Sequence, residues 1–342
     1  MKITNLFLFC CLNLVFIHVS QVHAQAPRTE KIVFTSNRDG DTEIYIMNPD
    51  GSQQVNLTEH PAADFDPTWS PTGEQILFNS NRDGQWDLYL MNADGKNVRK
   101  VFAELGDRRD PTWAPDGKQI AYLRRDEWAI YISTIDGKTV ERIADAGEGG
   151  GKPAWSPDGS EIAFMLAGVG EKWGKRLPLS RQIRIVNLHS GGKRTLFAER
   201  LPTMENPVWS PDGKRLAFSW MNRDLWDKQV HDRWGKRVFD AQTIYVALRN
   251  GGKFQQIVSE KGPYALEPAW SPFGDELLYI QQVGNQLNQF QIFKISVDGG
   301  KSEQLTDSGR NYDADWFDPL ALSVAPQPEL STSVWGKIKS KE

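Results

Sequence analysis

One short phrase recurs along this chain and sets what it can fold into. It reads Asp66-Pro-Thr-Trp69-Ser-Pro-Thr-Gly73, Asp110-Pro-Thr-Trp113-Ala-Pro-Asp-Gly117 and Lys152-Pro-Ala-Trp155-Ser-Pro-Asp-Gly159. Two further copies are Asn206-Pro-Val-Trp209-Ser-Pro-Asp-Gly213 and Glu267-Pro-Ala-Trp270-Ser-Pro-Phe-Gly274, and a worn sixth is Asp313-Ala-Asp-Trp316-Phe-Asp-Pro. The six tryptophans are 44, 42, 54, 61 and 46 residues apart. A period of this size means supersecondary units that stack, because none can bury its apolar face alone.

Each copy is a turn between two strands. Proline presets φ, Asp or Thr follows, and glycine takes the left-handed site that closes the turn. A β-rich run comes next, as in Gln75-Ile-Leu-Phe78 and Glu276-Leu-Leu-Tyr279. A second run follows after a loop, as in Asp87-Leu-Tyr-Leu90 and Thr243-Ile-Tyr-Val246. Then come Asp-Gly or Gly-Gly pairs such as Ala93-Asp-Gly95 and Asp298-Gly-Gly300, which supply the positive φ of tight hairpins. A short last run, Glu303-Gln-Leu-Thr306 for example, ends the unit. The unit is four antiparallel strands with the tryptophan on the innermost.

The first unit lacks its inner strand. It begins at Lys31-Ile-Val-Phe-Thr35 and ends at Val55-Asn-Leu-Thr58. Asp313 to Phe317 is an inner strand without the rest. The two fragments complete each other, which predicts an all-β fold: a six-bladed β-propeller of four-stranded antiparallel blades, the first closed by the C-terminal strand. Radial repetition leaves only short, protected sheet edges. The propeller is expected over residues 25–319, with a C-terminal tail over 320–342.

Met1 to Ala24 reads as a cleaved signal peptide: Lys2, an apolar stretch from Leu6 to Val19, and small residues at Val22-His-Ala24. A periplasmic or secreted protein is expected, with no membrane span in the mature chain. Both cysteines, Cys10 and Cys11, fall in that leader, so packing alone must hold the mature fold. Without Lys2 there are 39 basic and 44 acidic residues, a formal charge of −5. That balance argues against nucleic acid as a partner. A monomer is expected.

The Pro-x-Trp-Ser-Pro-Asp-Gly phrase, the loops Ser36-Asn-Arg-Asp-Gly40 and Ser80-Asn-Arg-Asp-Gly84, and the Ile-Tyr-Ile-Met-Asn run after the first of them resemble the repeat of TolB-like β-propellers. The resemblance covers nearly all of the chain after the leader. It implies a periplasmic protein of the envelope, whose family binds a peptidoglycan-associated lipoprotein through the propeller. In that family an α/β domain precedes the propeller. Here only residues 25–30 separate the leader from the first strand, so a propeller-only relative is expected.

The two long steps place insertions between the second and third strands of blades 4 and 5, at Leu166–Arg181 and Trp220–Ala241. In a propeller these loops share a face with the blade-to-blade connections, so one rim is thick and the other carries only short turns. The insertions hold Trp173, Lys175, Arg176, Trp226, His231, Arg233 and Trp234. Aromatic and basic residues together suit a binding hot spot or an acidic sugar. The plain alternative is that these tryptophans fold back on the insertions themselves.

The residue three before each tryptophan begins an inner strand at the channel mouth: Asp66, Asp110, Lys152, Asn206, Glu267 and Asp313. This ring either holds a cation or a basic partner group, Ca2+ being the ion suited to oxygen ligands, or its side chains cap their own turns. The repeated tryptophans read as blade packing. Arg38, Asp39, Arg82 and Asp83 read as exposed loop ion pairs, worth little.

Catalytic signatures are missing. There is no Gly-x-Ser-x-Gly elbow and no His-Glu-x-x-His helix. After the leader only His60, His189 and His231 remain, on separate blades. The function expected is therefore non-catalytic binding of an envelope protein or glycan, without a cofactor. The alternative is a carbohydrate-active enzyme, a polysaccharide lyase using His231 on the insertion face.

Overall fold

In the computed structural model the described residues are 24–168, 171–172, 175–176, 181–197, 203–221, 242–259, 262–284 and 289–321. The leader expectation falls outside them except for Ala24, and so does the tail beyond residue 321.

Blade 1 joins β1 (Lys31–Ser36), β2 (Glu43–Met47) and β3 (Val55–Asn56) to β26 (Asn311–Phe317). Blade 2 holds β4 (Asp64–Trp69), β5 (Gln75–Ser80), β6 (Asp87–Asn92) and β7 (Arg99–Lys100). Blade 3 holds β8 (Arg108–Trp113), β9 (Gln119–Arg124), β10 (Ala129–Thr134) and β11 (Val140–Asp145). In blade 4, β12 (Gly151–Trp155) and β13 (Glu161–Ala167) precede a two-stranded insert, β14 (Glu171–Lys172) and β15 (Lys175–Arg176). That blade finishes with β16 (Arg181–Asn187) and β17 (Lys193–Thr195). Blade 5 holds β18 (Met204–Trp209), β19 (Arg215–Met221), β20 (Gln242–Leu248) and β21 (Phe254–Gln256). Blade 6 holds β22 (Ala265–Trp270), β23 (Glu276–Gln282), β24 (Phe290–Ser296) and β25 (Glu303–Gln304).

The inner strands touch in the order β26, β4, β8, β12, β18, β22 and back to β26, so the ring is closed. The predicted joint is present: Ile32 pairs with Trp316 and Lys31 with Phe317. Two outer strands stop short of the expected Thr58 and Thr306 for a chemical reason. The Thr58 hydroxyl accepts the Ile44 N–H at 3.0 Å and the Thr306 hydroxyl accepts the Ile292 N–H at 2.9 Å. A side-chain oxygen thus takes over the place of a ladder carbonyl.

The serine of the repeated phrase shapes the inner turn. Ser70, Ser156, Ser210 and Ser271 each accept the N–H of the residue five further on, at 2.9–3.0 Å. Gly73 closes its turn at φ 72° and lies against the Phe317 ring, so even a methyl group there would collide with the closing strand.

The tryptophans pack between blades as expected. Trp69, Trp113, Trp209, Trp270 and Trp316 are buried, while Trp155 is half-buried. Burying about 150–250 Å² of indole gives each roughly 4–6 kcal/mol before entropy is subtracted. Three of them also stitch to the preceding blade. Trp113 Nε1 donates to Thr68 O at 3.3 Å, Trp209 Nε1 to Ala154 O at 3.2 Å and Trp270 Nε1 to Val208 O at 3.2 Å.

Candidate functional site

Every inner strand breaks register with its neighbour at the residues just before the tryptophan. The residue at each break is the predicted mouth residue. Asp66, Asp110, Lys152, Asn206, Glu267 and Asp313 all have φ between 50° and 54°. These are β-bulges, and proline follows in five of the six, so no ladder N–H is wasted there. A left-handed backbone costs an ordinary side chain about 1–2 kcal/mol, and Asp and Asn tolerate it best. Lys152 and Glu267 have no such tolerance. Strain of this kind, repeated around one opening, marks a place held in shape for a purpose.

The six bulges surround a cavity of about 200 Å³ on the channel axis. Lys152 reaches across it. Its Nζ stands 2.5 Å from Asp66 Oδ1, 3.1 Å from Asp313 Oδ1 and 3.6 Å from Asp110 Oδ1. Lys152 thus sets a positive group of the chain's own among these acids. Among the described residues no three His, Cys, Asp or Glu side chains are grouped to hold a metal ion. Asn206 and Glu267 line the opposite wall of the cavity.

Two of the acids accept an amide of the next blade. Asp110 Oδ2 takes the Lys152 N–H and Glu267 Oε2 takes the Asp313 N–H, both at 3.0 Å. Asn79 Oδ1 and Ser219 Oγ do the same for Asp110 and Glu267 at 3.2 Å. The bulge turns these four mouth amides away from their own ladders, and the neighbouring blade satisfies them. Lower in the channel, Asp315 Oδ2 takes the Trp69 N–H at 2.7 Å and the Thr68 hydroxyl at 3.0 Å, bridging blades 1 and 2.

Charge is unevenly spread here. Burial, then the Asp313 carboxylate, pushes Asp66 well above the usual carboxylate range. Burial works against Asp313 as well, but Lys152 and a hydrogen bond from Asp66 outweigh it and hold Asp313 low. The pair therefore shares one proton, as close carboxyls do. Burial also opposes the Lys152 charge, yet Asp313, Asp66 and Asp110 keep its ammonium well above the ordinary lysine range. Glu267 is raised to about 7 by burial and by Asp313.

The Glu267 shift has a measurable sign. Between its ordinary 4.5 and about 7 the folded protein holds a proton that the unfolded chain releases. Stability is then greatest below that window, falls as pH rises through it and levels off above. Glu267→Gln is expected to flatten this slope in melting midpoints taken from about pH 5 to about pH 8. An unaltered slope would remove Glu267 as its source.

The Ser-Asn-Arg-Asp-Gly loops depart from expectation. Arg38 and Asp39 do not pair with each other, nor do Arg82 and Asp83. Each arginine folds inward over two rings, Arg38 over Phe34 and Tyr45, Arg82 over Phe78 and Tyr89, at 4.7–5.3 Å. Each aspartate takes the tyrosine hydroxyl instead, Asp39 that of Tyr45 and Asp83 that of Tyr89. Arg82 also bridges to buried Asp64 at 2.9 Å. The guanidinium gains more from an aromatic face and a desolvated partner than from an exposed neighbour.

Of the insertion residues, Trp173, Trp226, His231, Arg233 and Trp234 lie outside the described residues. Lys175 and Arg176 belong to β15, which pairs with β14. Both insertions leave from the face that carries the mouth. The sequence reading passed over a second set of aromatics on this rim. Trp86 lies 4.7 Å from the Phe65 ring and 5.2 Å from the Arg109 guanidinium. Trp128 occupies the matching place one blade on, and Arg125 stands 5.5 Å from its ring. Aligning the repeats would have shown both tryptophans directly before the third strand.

Comparison with known proteins fits this architecture. TolB from Acinetobacter baumannii superposes with a TM-score of 0.65 and 18% identity over 84% of this chain and 66% of that one. This chain thus spans about two-thirds of that protein's length. A putative TolB from Agrobacterium tumefaciens gives 0.60 and 20% over 83% of this chain and 92% of that one. A chain of a nidogen/laminin complex gives 0.61 at 10% identity, with 84% and 98% covered. At such identities the likeness concerns the fold. No curated protein matches the sequence. The family model described as the TolB β-propeller domain matches residues 16–128 and 109–319, nearly the whole chain, and the protein therefore belongs to the TolB β-propeller domain family.

Proposed function

We propose that this protein is a non-catalytic scaffold of the periplasm or the cell exterior, binding an envelope protein or glycan on the insertion-bearing face of its propeller. One observation carries the reading. The two insertions leave from the face on which the strained, charged mouth opens, while the described loops of the other face are short glycine-containing turns. Among the described residues no helix is long and apolar enough to cross a membrane. The mouth acids are engaged with Lys152 or with backbone amides, which leaves them poorly placed to act as general bases. Trp173, Trp226 and Arg233 are the anchors of this surface.

The test is a crosslinking pull-down from envelope extract, read by mass spectrometry for proteins and by sugar analysis for glycans. The Trp173→Ala/Trp226→Ala/Arg233→Ala protein is expected to lose at least about tenfold of the captured partner. Lys138→Glu, in a turn on the opposite face, is expected to capture as the unaltered protein does. Equal capture by the triple variant would overturn this choice of surface.

A further inference from the structure

A local rule is broken at Trp128. The loops between the second and third strands of blades 1 and 2 turn back through glycine, Gly40 at φ 113° and Gly84 at φ 86°. Their N–H groups donate to Asn37 O and Asn81 O. Blade 3 closes the same kind of turn with an indole-bearing residue: Trp128 N donates to Arg125 O, and its φ is 49°. A bulky residue in the left-handed region is a true outlier. Glycine fits there without strain, so the side chain itself is what this position retains.

The neighbouring blade covers that side chain only in part: it packs against the apolar cluster between blades 3 and 4 and stays half-buried. In blade 2, Trp86 is covered by Arg109, the residue just before the mouth residue of blade 3. The corresponding residue of blade 4 is Gly151. A side chain is disfavoured there, because φ is 145° and a Cβ would press on the Asp110 carboxylate at 2.5 Å. The whole connection from Gly147 to Gly151 is glycine except for Glu148, and Gly149 faces open space. It starts beside Trp128, whose carbonyl accepts the Ala146 N–H at 2.7 Å, and ends at Lys152 in the mouth. A half-buried indole therefore borders a low wall that leads to a polar cavity. Arg125 beside it is exposed and has no carboxylate partner among the described residues, whereas Arg124 and Arg142 are both paired.

The chemistry of the rim selects the ligand. A protein hot spot needs a desolvated apolar pocket. Among the described residues, the large apolar side chains that are strongly exposed lie on outer strands, toward the plain face or past the last strand. The exception is Leu105, so the described residues of the rim offer no such pocket. A sugar ring asks for something else: one aromatic surface for its C–H face and polar groups around it for its hydroxyls. We propose that Trp128, with Arg125 beside it, is a stacking platform for a saccharide ring at the edge of the channel mouth. The inference rests on the reading of this face as the binding face, and it deepens that reading to a pyranose ring on blade 3.

Saturation-transfer NMR on the full chain tests it, with an N-acetylchito-oligosaccharide and an oligouronate as probes. Saturation is expected on the ring C–H protons of at least one probe. Trp128→Gly is expected to weaken binding about tenfold, and Trp128→Phe to stay within about threefold. Glycine suits the backbone but gives up the packing of the indole, so binding by each variant is read at a temperature where its own melting curve shows it folded, and Trp128→Phe keeps the test independent of that packing loss. Arg125→Gln separates the sugar classes, weakening the uronate and sparing the neutral probe. Absence of binding by both probes at about 10 mM would overturn the proposal, as would unchanged affinity in Trp128→Gly. Trp128-dependent binding of polyglutamate in place of either sugar would also overturn it, assigning the platform to acidic peptides. None of these variants touches an insertion, so the pull-down result and this one can fail separately.

Discussion

Lys152→Met is expected to cost the fold about 2–4 kcal/mol at pH 8, measured by urea unfolding. Methionine keeps most of the length and apolar stem while removing the charge. Asp66, Asp110 and Asp313 then face one another across the channel with nothing between them. The loss is expected to shrink at about pH 5, because protonating any of the three relieves the repulsion, so carboxyls raised in the folded state favour folding as pH falls. A deficit of equal size at both pH values would assign the effect to packing, not charge. Calcium adds a second reading. It is expected to leave the midpoint of the unaltered protein in place and to raise that of the variant, whose freed carboxylates are hard oxygen ligands.

Trp316→Ala is expected to be more severe than the same change at Trp155. A buried tryptophan cut to alanine costs about 3–5 kcal/mol. Trp316 is buried and lies on β26, the strand that holds the ring shut, whereas Trp155 is half-buried within an intact blade. Its cluster reaches Ile32, Phe34 and Met47 in blade 1 and Leu278 and Ile292 in blade 6. Hydrogen exchange provides the check. In Trp316→Ala the amides of β1 are expected to lose protection while those of β13, in blade 4 on the far side, keep it. Uniform loss around the ring would mean that the propeller opens as one unit and that the joint has no separate stability.

The architecture could be read from the chain because its cause is local and repeated. Each Ser-Pro-Asp-Gly turn carries its own geometry, and the orphan runs at Lys31 and Asp313 had one way to become whole. The mouth was legible only in its membership. That Asp66, Lys152 and Glu267 share a level follows from their spacing before the tryptophans. That their backbones are left-handed does not, because proline in the next position signals a bulge only once the strand pairing is known. Nor does sequence tell where a charge looks. Arg38 and Arg82 sit beside aspartates in the chain but turn to aromatic rings from other strands. Trp128 was passed over because its meaning depends on comparison with Gly40 and Gly84, at the same turn of other blades.

The joint between β1 and β26 has a mechanical consequence. Lys31 opens one strand, Phe317 ends the other, and the two are paired. Both chain directions therefore leave the clasp at the same end, on the side of the short turns. Tension between these two points peels the ladder apart rung by rung; it does not load all the rungs at once in shear. The opposite rim, with the insertions and the mouth, lies away from both points of tension.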